Sequence, residues 1–257
     1  MTSRKRAPAR KPAPKTAKVP KGSRGEKIYQ AVRGRILSLK LLPGSSLDEG
    51  KLSKELGFSR TPFREALVRL AGEGLIELLP NRGAQVAPMS WNDIRENLEA
   101  LDISQRLVTR WAAVRRTPES LDTMRRECEA FERAAKQNSS EEMIWSNWRF
   151  HAAIAEACGN SAIERFYKYN LTLNLRITRL AMTREHFSQE TAYSSHIGNI
   201  LREHRQILAA IERKDADAAE RLAQSHVDLA RQTVIETLVQ SITPSMNLNL
   251  SESAERG

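Results

Sequence analysis

The sequence predicts a mainly α-helical protein, in which a winged helix-turn-helix is followed by an antiparallel bundle of about six helices. Apolar residues recur at helical spacing through most of the 257 residues. Two short β-prone runs flank Arg82, and strand signals disappear from Trp91 onward. This change of pattern near Trp91 divides the chain into two folded parts.

Charge is distributed unevenly along the chain. Residues 1–24 contain nine Lys/Arg and no Asp/Glu, and residues 25–88 contain ten basic and seven acidic residues. Residues 89–257 contain 22 basic and 24 acidic residues, so the three segments carry formal charges of +9, +3 and −2. A basic N-terminal part beside a near-neutral remainder indicates a polyanionic partner for the N-terminal part.

Residues 1–24 are rich in Pro, Ala and Lys and contain almost no large apolar side chain, which predicts a disordered tail. The tail lacks the apolar run of a secretory signal, and no run of 18 apolar residues predicts a membrane span. Cys128 and Cys158 have no metal-like or redox spacing, so we expect reduced thiols in a cytosolic protein.

Three helices and a hairpin are predicted in the first folded part. The first helix covers residues 25–40, a Pro-Gly turn follows, and the second helix covers residues 49–56. Either Ser59 or Thr61 can cap the third helix, with Pro62 in its first turn, and the sequence "NRG" joins two strands after it. This order is typical of a winged helix-turn-helix. The apolar faces of the first and third helices are predicted to be Ile28, Val32, Ile36 and Leu39, and Phe63, Ala66, Leu67, Leu70 and Ala71.

The sequence "FSRTPFREAL" carries the candidate DNA-contacting residues. With Phe63 and Leu67 facing the core, Arg60 and Arg64 share the exposed face of the third helix. Arginine suits bidentate contact with guanine or phosphate, and the amides and hydroxyls of a helix start suit phosphate oxygens. Two arginines at this spacing are usually solvated, but the short helix before them, the hairpin after them and the basic charge favour DNA contact. The predicted DNA-binding residues are Ser59, Arg60, Thr61, Arg64, Arg82 and Gly83.

Six amphipathic helices are predicted in the second part. The sequences "GN" and "RKDAD" are the clearest breaks, and no proline occurs between Pro118 and Pro244. This pattern is typical of an all-α bundle. The predicted helices cover residues 92–115, 118–137, 140–158, 160–183, 188–212 and 216–240.

Three histidines lie on the apolar faces of three different predicted helices: His151, His204 and His226. Asn147 lies one turn before His151 on much the same face. Inward side chains from several helices of a bundle can converge on one metal ion, and imidazole suits Zn, Ni, Fe, Cu or Mn. Each histidine taken alone is more often a hydrogen-bonded core residue, but three on inward faces make a metal site a serious hypothesis.

Residues 28–88 closely resemble the winged-helix domain of the GntR family of bacterial transcription regulators. The Pro-Gly turn, "LGFSRTPFREAL", "L..EGL" and "P.RG..V" carry this resemblance. It implies that Arg60 and Arg64 contact operator bases and that the wing glycine region enters the minor groove. Gly50 is a departure, because family members often carry a charged residue there.

Residues 92–240 resemble, more weakly, the all-helical ligand-binding domain (FCD type) of the FadR-like subfamily, through "NWRFHAAIAEACGN" and "REHRQILAAIERKDADAAERLAQSH". That subfamily holds a metal with one Asp or Asn and three His, and binds small carboxylates beside it. The resemblance implies that Asn147, His151, His204 and His226 hold a divalent ion such as Zn, Ni or Mn. Asn147 stands where aspartate is commoner, and this exchange gives up one negative charge.

The first bundle helix departs from the subfamily in the sequence "LEALDISQRL", where Leu101 and Asp102 replace an arginine that often holds the effector carboxylate. Arg106 or another inward arginine is a candidate substitute. His186 and His196 fit the apolar faces poorly and are predicted to lie at the surface or in a loop.

These features predict a cytoplasmic bacterial transcription regulator that is nucleoid-associated when DNA-bound and is not an enzyme. We expect a homodimer, a repressor by family analogy, that binds a palindromic operator in double-stranded DNA and responds to a small-molecule effector. One alternative is a metal-dependent hydrolytic enzyme with a DNA-binding appendage, but the inward faces carry no His-Glu-x-x-His and no paired carboxylates. The other is a nonspecific architectural DNA-binding protein, suggested by the basic tail.

The predicted organisation has five segments. Composition separates the two ends from the folded parts, and the loss of strand signals separates the DNA-binding part from the effector-binding and dimerisation part. The segments are a disordered tail (1–24), a winged helix-turn-helix (25–88), a linker (89–91), a helical domain (92–240) and a flexible C-terminal tail (241–257).

Overall fold

A computed structural model describes residues 24–57, 59–80, 82–182 and 189–242 of this protein. Within these ranges the chain is mainly helical, with a three-stranded sheet near its N-terminal end. The first part contains α1 (Arg24–Leu37), β1 (Ser46–Leu47), α2 (Glu49–Leu56), α3 (Arg60–Gly72), β2 (Ile76–Leu79) and β3 (Gly83–Val86). The second contains α4 (Trp91–Arg115), α5 (Pro118–Lys136), α6 (Ser140–Ala157), α7 (Ser161–Met182), α8 (Glu190–Glu212) and α9 (Ala216–Ile242).

The turn between α2 and α3 is fixed by capping at both sides. The Asp48 side chain accepts a hydrogen bond from the Lys51 amide at the start of α2, and Gly57 ends α2 in the left-handed conformation. Ser59 occupies the N-cap position of α3, although its side chain makes no capping hydrogen bond. Ser59 is therefore the N-cap residue, out of the two residues predicted as candidates for that position.

The sheet has the order β1-β3-β2 and is antiparallel throughout. Strands β2 and β3 form the predicted hairpin, with Leu79 opposite Gly83. Strand β1 was not predicted from the sequence: Ser46 and Leu47 pair with Gln85 and Ala84. Two residues are too few to show strand periodicity, so only the tertiary pairing reveals this strand.

The apolar faces of α1 and α3 form the core of the first part. Ile28, Val32 and Ile36 are fully buried, as are Phe63, Leu67 and Leu70 of α3. The first helix ends at Leu37 and not at residue 40, as predicted, because Leu39 has a φ of +58° that no α-helix accommodates.

The six predicted helices of the second part are all present in the described residues, with small shifts at their ends. Helix α4 begins at Trp91, where Ser90 and Asp93 form a capping box. Helix α9 runs to Ile242, so residues 241–242 are helical and do not belong to the predicted flexible tail. Helix α5 packs against α6, and α4 packs against α9 and α7. Cys128 and Cys158 are buried and free, and no described helix combines the length and apolarity that a bilayer span requires.

Helix α7 connects the second part to the first. Arg176 donates to the carbonyl oxygen of Ala87 at 2.9 Å, and Arg179 donates to that of Leu37 at 3.0 Å. Gly74 has a φ of +68°, and a Cβ added there would lie 2.6 Å from the Tyr169 hydroxyl oxygen. A glycine is thus required both by the backbone and by the close approach of α7.

Candidate nucleic-acid interface and metal centre

Helix α3 presents one buried and one exposed side. Its apolar residues face α1, whereas Ser59, Thr61 and Arg64 are all exposed. Arg60 is the first residue of the helix, and its side chain lies outside the described part. The exposed side thus carries hydroxyl groups and Arg64 at a helix N-terminus, which are the groups that suit phosphate oxygens and guanine edges.

Arg64 and Arg69 lie on the same helix in different environments. Arg69 donates to Glu26 Oε2 at 2.7 Å, and its guanidinium lies 3.9 Å from the centroid of the Tyr29 ring. These contacts fasten α3 to α1. Arg64 makes no ion pair with any described residue, so its guanidinium remains available to an external partner.

Arg82 and Gly83 lie at the tip of the β2–β3 hairpin, and both are exposed. Gly83 has a φ of +80°, a conformation that favours glycine and lets the hairpin close. In a winged helix-turn-helix the recognition helix enters the major groove, and a wing such as this one follows it along the chain. The candidate DNA-contacting residues therefore lie on two exposed features, the start of α3 and this tip.

The four residues predicted as metal ligands come together in the core of the second part. Asn147 and His151 lie on α6, His204 on α8 and His226 on α9, and each is more than nine-tenths buried. One ring nitrogen from each histidine lies within 4.8 Å of the others, and the ring centroids are 5.0–5.2 Å apart. This spacing suits imidazoles that share one ion.

Three buried atoms of this cluster have no hydrogen-bond partner among the described residues. They are Oδ1 of Asn147 and both ring nitrogens of His204. Buried polar atoms normally have partners, because an unsatisfied one costs about 1–3 kcal/mol. A divalent cation would satisfy Oδ1 of Asn147 and one ring nitrogen of His204 together. The residues present therefore fit a metal ion.

His226 is oriented by a carboxylate. Its Nδ1 lies 2.8 Å from Glu203 Oε2, and its Nε2 lies 3.2 Å from Nε2 of His151. A carboxylate beside Nδ1 favours a proton there, which leaves the Nε2 lone pair for a metal. Sequence reasoning missed Glu203, because its link to His226 depends on how α8 packs against α9. The single local signal is its place directly before His204.

Burial keeps two of the imidazoles neutral. Desolvation lowers the pKa of His151 and of His204 well below the usual value, and the neighbouring His226 lowers both further. The Phe131 and Phe150 rings add to this apolar surrounding, with centroids 5.2 and 4.5 Å from that of His204. Neutral imidazole is the form that coordinates a metal ion.

A cavity of about 60 Å³ adjoins the cluster between α4, α6, α7, α8 and α9. Asn147, His151 and His226 form part of its wall. A cavity of this size accepts a compact ligand. A small molecule placed there would lie directly beside the candidate metal ligands.

Two side chains near the cavity differ from the predictions. His196 is buried and lines the cavity, because it shares the inward face of α8 with Tyr193 and Ile200. The prediction of a surface or loop position for His196 was therefore wrong. Arg106, the candidate substitute for an effector-binding arginine, pairs with Glu220 on α9 at 2.9 Å and does not line the cavity. His186 lies outside the described residues.

Two protein families match the chain. The FCD domain matches residues 91–229, and the family described as bacterial regulatory proteins, gntR family, matches residues 24–86. Over 226 residues the chain is 24% identical to the Uxu operon transcriptional regulator of Escherichia coli (strain K12), covering 82% of this chain and 86% of that protein. Over 218 residues it is 28% identical to the galactonate operon transcriptional repressor of the same strain, covering 77% and 91%.

Solved structures show the same fold. E. coli McbR/YncC has a TM-score of 0.69 at 19% identity, covering 85% of this chain and 99% of that chain. A putative GntR transcriptional regulator from Rhodococcus sp. RHA1 has a TM-score of 0.66 at 20% identity, covering 82% and 97%. At these identities the likeness supports the arrangement of helices and sheet, and the chemistry of the site rests on its own residues.

Proposed function

Because this chain belongs to the GntR family of bacterial transcriptional regulators and carries an FCD domain, we propose that it is a repressor controlled by a small carboxylate bound beside a metal ion. Its families and named relatives are transcriptional regulators, not enzymes. The observation that carries the proposal is the cluster of His151, His204 and His226 beside a cavity whose wall includes Asn147, His151 and His226. The name of the galactonate operon repressor supports repression as the sign of regulation.

Residues 25–88 would bind the operator through the start of α3 and the hairpin tip. Arg60 and Arg64 would reach base edges, and the hydroxyls of Ser59 and Thr61 would donate to phosphate oxygens. Arg82 and Gly83 would approach the backbone or the minor groove. The exposure of Ser59, Thr61, Arg64, Arg82 and Gly83 supports these roles.

Residues 92–240 would bind the effector. The ion would be held by the three imidazoles and by Oδ1 of Asn147, and it would supply positive charge for a carboxylate at the end of the cavity. Glu203 would fix the orientation of His226. The apolar surrounding would exclude water and strengthen the attraction between ion and carboxylate.

Helix α7 contacts both the cavity and the first part, so it would transmit a ligand-induced shift between them. Asn174 and Ile177 line the cavity, while Arg176 and Arg179 hold carbonyl oxygens of the first part. A ligand that shifts α7 would therefore also shift the DNA-binding part. Regulation requires that the ligand binds one arrangement of α7 more tightly than another.

A palindromic operator would be bound by two copies of the chain, because a two-fold-related site needs two recognition helices. Ile103 and Val114 on α4 and Phe166 on α7 are exposed apolar residues, with 67%, 60% and 49% of their surface accessible. Such residues suit a subunit interface better than contact with water. The second part would therefore pair the subunits as well as bind the effector.

Metal content and operator binding, measured on the same preparations, test the proposed function. We expect about one divalent ion per chain in the wild type and its loss in His204→Ala, whose fold is checked by circular dichroism. His196→Ala is the matched control, because this buried histidine lines the same cavity outside the three-histidine cluster. Equal metal content in the wild type and His204→Ala, or no metal in either, would contradict the proposal.

A further inference from the structure

We propose that the ligand of this cavity is a short aliphatic monocarboxylate, such as isobutyrate or isovalerate, and not a sugar acid or a dicarboxylate. This inference rests on the proposed function and specifies the chemistry of the effector. It follows from three properties of the cavity: its mostly aliphatic wall, the engagement of two of its amide side chains, and the absence of arginine and lysine from the described residues that line it.

The wall of the cavity is mostly aliphatic. Five helices contribute to it, and four of them present leucine, isoleucine or valine side chains to the interior. An alkyl tail is stabilised by such a wall, because it loses its contact with water without losing a hydrogen bond. The aliphatic residues include Leu98, Leu101, Leu171, Ile177, Ile200 and Val227.

Two of the three amide side chains of the wall, those of Gln105 and Asn174, already make hydrogen bonds within the protein. Gln105 donates through Nε2 to the carbonyl oxygen of Ala223 at 3.3 Å, and its Oε1 accepts from the Tyr167 hydroxyl at 3.0 Å. The Asn174 Nδ2 donates to Asn97 Oδ1 and to the carbonyl oxygen of Asn170. Apart from these two amides and the proposed ligands, the polar residues of the wall are Thr178 and His196. They are too few to replace the hydrogen bonds with water that the several hydroxyl groups of a sugar acid would lose.

No arginine or lysine is among the described residues that line the cavity, and two arginines on its helices α4 and α9 are paired with acidic residues. Arg106 binds Glu220 at 2.9 Å, and Arg231 binds Asp228 at 3.0 Å. Leu101 lines the cavity one helical turn before Gln105, at a position from which a basic side chain could reach a ligand. A second carboxylate would therefore be buried beside leucine without a compensating charge.

Polar and apolar parts of the cavity match a ligand with one charged end. Asn147, His151 and His226 belong to the wall, and an ion held beside them would accept one carboxylate. The cavity of about 60 Å³ limits the length of the tail that follows. A branched alkyl group fills a compact space better than a linear chain of the same size.

Calorimetric titration of the full-length, manganese-loaded protein with isovalerate, succinate and galactonate tests this inference. We expect isovalerate to bind at least about tenfold more tightly than either other acid. Isovaleramide, which lacks the anionic end, is expected to bind at least about tenfold more weakly than isovalerate. Equal or tighter binding of succinate or galactonate would overturn the inference, as would the absence of binding by all three acids.

Two variants show whether Leu101 sets this preference. In Leu101→Arg, the affinity for succinate relative to that for isovalerate is expected to rise at least about tenfold, because the new guanidinium binds the second carboxylate. Asn92→Arg places the same side chain at an exposed position of α4 and should leave the preference unchanged. An unchanged preference in a folded, metal-binding Leu101→Arg variant would contradict the assignment.

Titration with Mn²⁺ alone separates this inference from the proposed function. If the protein binds Mn²⁺ but prefers a sugar acid or a dicarboxylate, the ligand assignment fails and the metal-linked regulator stands. If the wild type binds no divalent ion, the proposed function itself fails, and the ligand assignment fails with it.

Discussion

At the residue scale, Asn147 distinguishes a metal ligand from an ordinary core amide. Its Oδ1 is buried without a described partner beside three imidazoles. In Asn147→Asp a carboxylate replaces this neutral group, so the affinity for Mn²⁺ is expected to rise about tenfold through charge attraction. Titration calorimetry measures this change. Asn170→Asp is the control, since it adds the same charge to a buried position of α7 outside the cluster. An equal change in both variants would argue against ligation by Asn147.

Substitutions of Arg64 and Arg69 are expected to affect different properties of the first part: operator binding in one case and stability in the other. Arg64→Ala is expected to cost about 1–3 kcal/mol of operator binding and to leave the unfolding temperature unchanged, because the side chain is exposed and unpaired among the described residues. Arg69→Ala is expected to lower stability by up to about 1 kcal/mol, since it loses the half-exposed Glu26 pair and the Tyr29 contact. Fluorescence anisotropy with operator and random DNA checks the first expectation. An equal loss on both DNAs would contradict base reading by Arg64.

Helical spacing explains why much of the candidate site could be predicted residue by residue. Residues four apart share a face, so Asn147 and His151 could be grouped, and His204 and His226 fell on inward faces of their own helices. Glu203 and the inward position of His196 could not be predicted, because both depend on the packing of α8 with α9 and α7. Local spacing carries no information about that packing.

At the scale of elements, the approach of α7 to the turn before β2 makes Gly74 sensitive to substitution. A Cβ in Gly74→Ala would lie 2.6 Å from the Tyr169 hydroxyl oxygen in a backbone conformation of positive φ. We expect a loss of about 1–3 kcal/mol in the free energy of unfolding. Gly72→Ala is the matched control, because a Cβ there meets no atom within 4 Å, and it should be neutral or slightly stabilising. Urea denaturation that gives equal stability for both variants would contradict this close approach.

Long elements could be predicted better than short ones. The six helices of the second part have many turns of regular apolar spacing, and their ends shifted by only one or two residues, as at Trp91 and Ile242. Strand β1 has two residues and no pattern of its own, so it becomes visible only through pairing with β3. The end of α1 moved from residue 40 to Leu37, because a left-handed residue interrupts an otherwise apolar repeat.

At the scale of the whole molecule, the candidate metal site joins helices that are distant in sequence. An ion held by α6, α8 and α9 would bind only the folded chain, so it would stabilise the second part. With metal at about 100 times its Kd, the gain is expected to be about 2.7 kcal/mol. Thermal unfolding should therefore occur at a lower temperature after chelation, and His204→Ala should show no such shift. An unchanged unfolding temperature of the wild type after chelation would contradict a structural role for the ion.

Anomalous X-ray diffraction from crystals grown with Mn²⁺ or Zn²⁺ tests the central claim most directly. The account predicts one anomalous peak between Asn147, His151, His204 and His226, with Zn–N distances of about 2.0–2.1 Å for the zinc form. The same crystals of His204→Ala should lose the peak. An empty cluster in the wild type, with well-defined density for all four side chains, would show that they are core residues and would contradict the metal centre.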